Sequence, residues 1–170
     1  SAPVDQATAL NLSAISTSQI DGSFTAALSA PTGYVVVRYL NGSTPTPPVT
    51  GTTYVVGSVL GTGTVVSVGS ATTFSSTGLS GGTSYDFYVY DYSNSVFAGI
   101  SYNTVAPLFG TIATNPCGTM TSPISVGPTG TYPTLSGAGG AIAAIQASGI
   151  SAPMVIELQS TYDATGETYP

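Results

Sequence analysis

The sequence predicts a mainly β protein: an antiparallel β-sandwich over residues 1–105, followed by a short helix-plus-strand segment over 123–170. Three observations predict it. Residues 1–105 break into short runs of alternating apolar and polar residues, with turn signals roughly every 8–12 residues, the spacing of a sandwich or barrel. The run Gly33–Leu40 carries Tyr34, Val35, Val36, Val37 and Tyr39. It is β-branched and aromatic, with apolar side chains on both faces, so it belongs in the middle of a sheet. Beyond residue 123 the period changes, and Leu135, Ala138, Ile142 and Ile145 recur at helical spacing.

The elements follow in order. Ala7–Ala14 alternates, with Ala7, Ala9, Asn11 and Ser13 on one side and Thr8, Leu10, Leu12 and Ala14 on the other. Gln19–Ala27 keeps Ile20, Phe24 and Ala26 in phase, and Asp21-Gly22 inside it marks a bulge. After the central run, Asn41–Pro48 is a loop that starts on Asn-Gly and is stiffened by three prolines. Thr52–Val56 and Thr64–Val68 read as short strands around Gly61-Thr-Gly63, and Thr72–Ser76 as another. Tyr85–Tyr92 is the strongest strand. One of its faces carries Tyr85, Phe87 and Val89, the other Asp86, Tyr88, Tyr90 and Tyr92. Ile100–Val105 reads as the last strand, and residues 106–122, rich in Pro, Thr and Gly, as a linker or strand-like strap. In the final segment Thr134 or Ser136 caps a helix that Gly149 ends. Gly137, Gly139 and Gly140 weaken that helix, each by about 1 kcal/mol against Ala. Met154–Leu158 is an apolar strand, Tyr162–Glu167 a turn, and Thr168–Pro170 the start of a further element.

Composition excludes several functions. Charged residues make up 5% of the chain, against about 25% in an ordinary domain. Neither disorder nor membrane insertion accounts for this. The apolar residues alternate as in folded strands, and no run approaches the roughly 18 apolar residues of a membrane helix. Net charge is −6 with Arg38 as the only basic side chain, which disfavours phosphate backbones and anionic lipid. A single Arg also gives a trypsin-like protease one cleavage point, which suits an extracellular setting. Cys117 is the only cysteine, so no disulfide forms within the chain, and its thiol is expected to be buried.

Two resemblances rest on particular runs. Gly33-Tyr-Val-Val-Val-Arg38, Gly51-Thr-Thr-Tyr54, Leu60-Gly-Thr-Gly-Thr-Val-Val66, Thr73-Phe-Ser-Ser-Thr-Gly-Leu79 and Gly82-Thr-Ser-Tyr85-Asp-Phe-Tyr-Val89 together resemble a fibronectin-III-like module. The resemblance is to the variant found in large secreted or cell-surface proteins of Bacteroidota-like bacteria. It implies a fibronectin-III/immunoglobulin-like sandwich. Leu79, six residues before Tyr85, resembles a tyrosine corner, in which the Tyr85 hydroxyl caps the turn. Gly130-Thr-Tyr-Pro-Thr-Leu135, the Ala-rich helix and Pro153-Met-Val-Ile-Glu-Leu158 resemble the N-terminal cap and first coil of a right-handed parallel β-helix. Such coils are stable only when stacked, about three or more together. The resemblance therefore implies that the segment packs on the first domain, on another copy, or on further chain beyond Pro170.

The residue inventory narrows the chemistry. The chain has no histidine, which removes Ser-His-Asp and Cys-His catalysis and the commonest metal ligand. It has no lysine for a Schiff base and no convincing phosphate loop. No cofactor is expected. Glu157, Asp163 and Glu167 are close in sequence, and a glycosidase needs two such groups in one cleft. The plainer reading is a strand residue and a turn. Asp91, Asn94 and Asp86 offer oxygen ligands for calcium, though in no EF-hand spacing, and Asp91-Tyr-Ser-Asn94 fits an Asx turn. Asn11-Leu-Ser13 and Asn41-Gly-Ser43 fit the N-glycosylation pattern. Tyr88, Tyr90 and Tyr92 share one strand face. Exposed, they form an aromatic stripe for sugar stacking or a protein partner. Paired with Val35, Val37 and Tyr39 under a covering loop, they are core.

The expectation is a non-enzymatic, extracellular structural or adhesive module of a large multidomain or filament-forming protein. Its partners are further domains of the same chain or other copies, with neither nucleic-acid binding nor membrane insertion. The alternative is a carbohydrate-binding accessory module beside a β-helix polysaccharide-degrading enzyme, with glycans as ligands of the tyrosine stripe.

Overall fold

A computed structural model describes residues 1–118, 120, 122–148, 150 and 153–167. The chain divides into two units, residues 1–114 and 115–170.

In the first unit β1 (Thr8–Ala14) pairs antiparallel with β2 (Ile20–Thr25). Leu10 and Leu12 pack on the core, while Asn11 and Ser13 stand on the other face opposite Ser23 and Asp21. Strict alternation places Ala7 with Asn11 and Ser13, but Ala7 is buried in the core instead. The register shifts between Thr8 and Asn11, and Ala9 has φ 55°, so the bulge lies in β1 and not at Asp21-Gly22. Gly22 has a different cause: opposite Phe74, a Cβ would come within 2.1 Å of the ring.

β3 (Gly33–Leu40) is the predicted central strand. Next come β4 (Val59–Leu60), β5 (Gly63–Gly69), β6 (Thr73–Ser76), β7 (Ser84–Ser95), β8 (Gly99–Tyr102) and β9 (Leu108–Ala113). β3 lies between β5 and β7, antiparallel to both. One sheet has the order β1-β2-β6; the larger has β4-β5-β3-β7-β8, with β9 pairing the first half of β7. Three strands facing a larger sheet in this connectivity is the fibronectin-III/immunoglobulin-like sandwich. Ile20, Phe24, Tyr34, Val36, Phe74, Phe87 and Val89 fill the space between the sheets. Leu79 is buried beside them, and the Tyr85 hydroxyl accepts the Ser80 N–H at 3.0 Å, the expected tyrosine corner.

Thr52–Val56 forms no strand; it belongs to a strap running between β3 and β4. Ile100–Val105 is not the last strand either, because β9 lies inside the expected linker and carries the sandwich to Thr114. Leu108 and Ile112 turn toward the core, but Gly110 and Thr111 hide that alternation in the sequence. Gly110 is small for a reason: a Cβ there would stand 2.9 Å from the Leu10 side chain.

In the second unit β10 (Ile124–Val126) pairs parallel with β11 (Ile156–Leu158), and α1 (Ala141–Ser148) lies between them in sequence. Ile124, Val126 and Ala141 form a small core with Leu135, Ile145 and Met154 against it. The helix starts at Ala141 rather than near Leu135. Gly137 and Gly139 sit at φ 83° and 90°, outside helical geometry, so the chain coils through them before Ala141 N–H bonds the Thr134 carbonyl. Asp163 accepts the Thr165 N–H and caps a 3₁₀ turn at Ala164–Gly166, where a turn was expected. The expected helix end at Gly149 and the element at Thr168–Pro170 lie outside the described residues. Cys117 is half-buried, not fully buried.

Candidate functional site

The outer face of the larger sheet holds the tyrosine stripe. Tyr90 stands opposite Val35, Tyr88 opposite Val37 and Tyr92 opposite Gly33. The strap between β3 and β4 lies over them and is fastened by tyrosine hydroxyls. Tyr39 donates to the Thr46 carbonyl and accepts the Thr46 N–H, both at 3.0 Å. Tyr102 donates to the Thr52 carbonyl at 2.8 Å, and Gly51 N–H bonds the Ile100 carbonyl at 2.9 Å. Tyr54 meets Tyr102 edge-on at 5.8 Å, and its hydroxyl accepts the Val49 N–H.

The result is a second core, of Val35, Val37, Tyr39, Leu60, Val65, Tyr90, Ile100 and Tyr102. Tyr90 is 2% exposed, and burial raises its phenol well above the ordinary value. Burial likewise pushes Tyr102 up to about 12. Tyr88 and Tyr92 are half-buried. Tyr88 stacks on Tyr90 at 6.4 Å and leans on Phe109 at 4.9 Å. Phe109, about half exposed, is the aromatic missed in the sequence, because it lay in the stretch taken for a linker. Of the three tyrosines, Tyr88 and Tyr92 reach water in part and Tyr90 does not.

The carboxylates do not converge. Asp86 and Asp91 are five residues apart on β7 and face opposite sides of the sheet. Asp86 accepts Asn41 Nδ2 at 2.8 Å and the Gly42 N–H at 3.1 Å, which anchors the start of the strap. Asp91 points into the sandwich and accepts the Ala7 N–H at 3.2 Å. Asn94 is exposed, with its N–H on Thr32 Oγ1. No group of three or more His, Cys, Asp or Glu side chains is placed to hold a metal among the described residues.

Glu157 is exposed on β11. Asp163 is engaged at its 3₁₀ turn, and Glu167 accepts the N–H groups of Leu135 (2.6 Å) and Ser136 (2.5 Å) as well as the hydroxyls of Ser136 and Tyr162. The Ser136 and Tyr162 side chains lead in holding its carboxyl down to about 2. A carboxylate so saturated with donors tethers chain and is poorly suited to shuttle protons. Arg38 is also engaged: Nη1 donates to Ser76 Oγ at 2.8 Å and the guanidinium lies 5.6 Å from the Tyr85 ring centre.

Exposed apolar groups stand elsewhere. Val96 and Phe97, fully exposed, form the tip of the β7–β8 hairpin, and Leu28 is exposed in the loop between β2 and β3. The Asn94–Thr32 bond ties the hairpin to that loop, so these groups share one end of the first unit. In the second unit β11 is exposed along its length, and Val155, Ile156 and Leu158 present apolar side chains to water.

No protein-family model matches the chain, and no curated protein matches it. Among solved structures it is similar to a fibronectin type III domain of human collagen XX, at 22% identity and a TM-score of 0.45, over 67% of this chain and 95% of that one. It is also similar to the FN1–FN3 domains of chicken CNTN1, at 17% identity and a TM-score of 0.48, over 67% and 32% of the two chains. A third is the fibronectin type III domain derived from the human KIAA0970 protein, at 14% identity and a TM-score of 0.46, over 80% and 86%. At TM-scores below 0.5 these likenesses carry no argument, and the sandwich stands on its own strand order and register.

Proposed function

We propose that the chain is a non-enzymatic structural or adhesive module of a larger secreted or cell-surface bacterial protein, whose second unit joins further β-structure. The observation that carries this is β11. Parallel strands ordinarily have both faces covered. Ile124 and Val126 of β10 are buried, whereas Ile156 and Leu158 of β11, paired in parallel with them, are 37% and 52% exposed. A short parallel strand with an apolar, uncovered face is completed by one more strand or coil. A β-helix-like continuation supplies it in a longer chain, and another copy supplies it when this chain is alone in solution.

The inventory without histidine or lysine supports the non-enzymatic part, as do carboxylates committed to backbone donors. The sparse charge and single Arg support the extracellular setting. The burial of Tyr90 favours this reading over a carbohydrate-binding module, which would use all three tyrosines.

Sedimentation velocity across a concentration series tests the reading. The chain is expected to self-associate, and the pair Ile156→Glu with Leu158→Glu to remain monomeric. A wild-type chain that stays monomeric up to several hundred micromolar sinks it.

A further inference from the structure

The N-terminal segment is fastened to the end of the sandwich through a network that leaves two acceptors over. Asp5 accepts the Ser29 N–H through both carboxylate oxygens, at 3.1 and 3.0 Å, and its carbonyl accepts Asn103 Nδ2 at 3.1 Å. Gln6 Nε2 donates to the carbonyls of Asn103 and Val105, both at 3.0 Å. Ala7 N–H donates to Asp91 Oδ1, and Asn103 N–H to the Asp91 carbonyl at 2.9 Å.

The Gln6 amide has one workable orientation, since turning it over sets Oε1 against two carbonyl oxygens. Gln6 Oε1 and Asp91 Oδ2 are then both buried, with no hydrogen-bond partner among the described residues. Asp91 itself is 0% exposed. The titratable groups around it offer no positive charge. Asp5 on the N-terminal segment has the same sign, and Tyr34, opposite Asp91 on β3, has its hydroxyl on the Ala27 N–H. Arg38 is engaged at Ser76 and Tyr85.

A buried carboxylate with one hydrogen bond and no cation is unfavourable, and a proton is the least costly remedy. A hydrogen on Oδ2 removes the charge and turns an unpartnered buried acceptor into a donor. We propose that Asp91 is a protonated, neutral acid in the folded chain at mildly acidic pH, and that its ionisation loosens Ser1–Gln6 from the sandwich, making the N-terminal segment a pH-operated latch. Burial pushes its carboxyl up to about 6, the Ala7 N–H working against the rise and Asp5 adding to it.

The sign follows from that direction. Below the ordinary 3.8 the carboxyl is protonated whether the latch is shut or open, and pH has no effect. Between 3.8 and about 6 only the open form ionises, and above about 6 the full penalty falls on the shut form. An open groove of about 800 Å³ runs between residues 2–6 and 102–106, so water reaches the edge of the segment.

NMR titration of the Asp91 carboxyl carbon from pH 4 to 8, with hydrogen exchange at the Ala7 amide referenced to Val36, tests this. The carboxyl is expected to titrate near 6. The opening equilibrium at Ala7 is expected to rise up to about a hundredfold across that range, and to stay level in Asp91→Asn. Titration near 4 overturns the latch, as does an equal rise in Asp91→Asn. If 1 mM calcium abolishes the pH dependence while Asp91 stays ionised, the two oxygens hold a cation and the latch is refuted. Should Asp91→Asn fail to fold, the wild-type titration decides alone.

Discussion

Replacing Tyr39 with Phe tests whether hydroxyls hold the strap over the outer face of the larger sheet. The ring of Tyr39 is buried on β3, meets Tyr88 edge-on at 5.7 Å and fills the space beside Gly63. Phe keeps all of that. It loses the two hydrogen bonds to Thr46, each 3.0 Å long. A neutral bond contributes about 1 kcal/mol net. Thr46 is exposed and its backbone groups rehydrate, so the expected loss is about 1–2 kcal/mol and not the larger cost of stranded buried groups. That corresponds to a factor of about 5–30 in an opening equilibrium.

Urea unfolding reads the global part, and hydrogen exchange at the Thr46 amide reads the local part. Tyr39→Ala, which also empties the ring's site, is expected to cost about 3–5 kcal/mol. If Tyr39→Phe unfolds within about 0.3 kcal/mol of the wild type and Thr46 exchanges at the wild-type rate, the hydroxyl does not hold the strap. The second core then rests on packing alone.

Two further outcomes follow from single groups. Tyr85→Phe removes the acceptor of the Ser80 N–H but keeps the ring under Arg38, so it should destabilise the first unit by about 1 kcal/mol in urea unfolding; an unchanged midpoint denies the tyrosine corner its role. Glu167, held down to about 2, stabilises the second unit fully above its ordinary 4.5, and that contribution disappears as pH falls through about 2. Protection of the Leu135 and Ser136 amides should therefore fade between pH 4.5 and 2, with Glu167→Gln lowering it at neutral pH and flattening the profile. A wild-type profile flat in that window removes Glu167 as the tether.

Much of the first unit was legible because its strands obey local rules. Gly33–Leu40 and the two faces of Tyr85–Tyr92 could be read from alternation and residue type, and they are the strands that share the longest register. β9 was not legible, since Gly110 interrupts its pattern and is there for Leu10, far away in sequence. The bulge was misplaced for a similar reason: Gly22 reads as a backbone irregularity but serves the Phe74 ring. The late start of α1 could be anticipated only in kind, through glycines whose φ values the sequence does not state.

The tyrosine stripe marks the division between the two levels. Its three residues and their common face were determined by the period of a strand, which is a local property. Whether that face meets water was decided by the strap, through Tyr39 on Thr46, Tyr102 on Thr52 and Gly51 on Ile100, contacts that join distant parts of the chain. Composition likewise determined that Asp91 has almost no cation to find. The sandwich decided that it is buried with one oxygen over, because burial is set by everything that packs around a group and no window of sequence contains it.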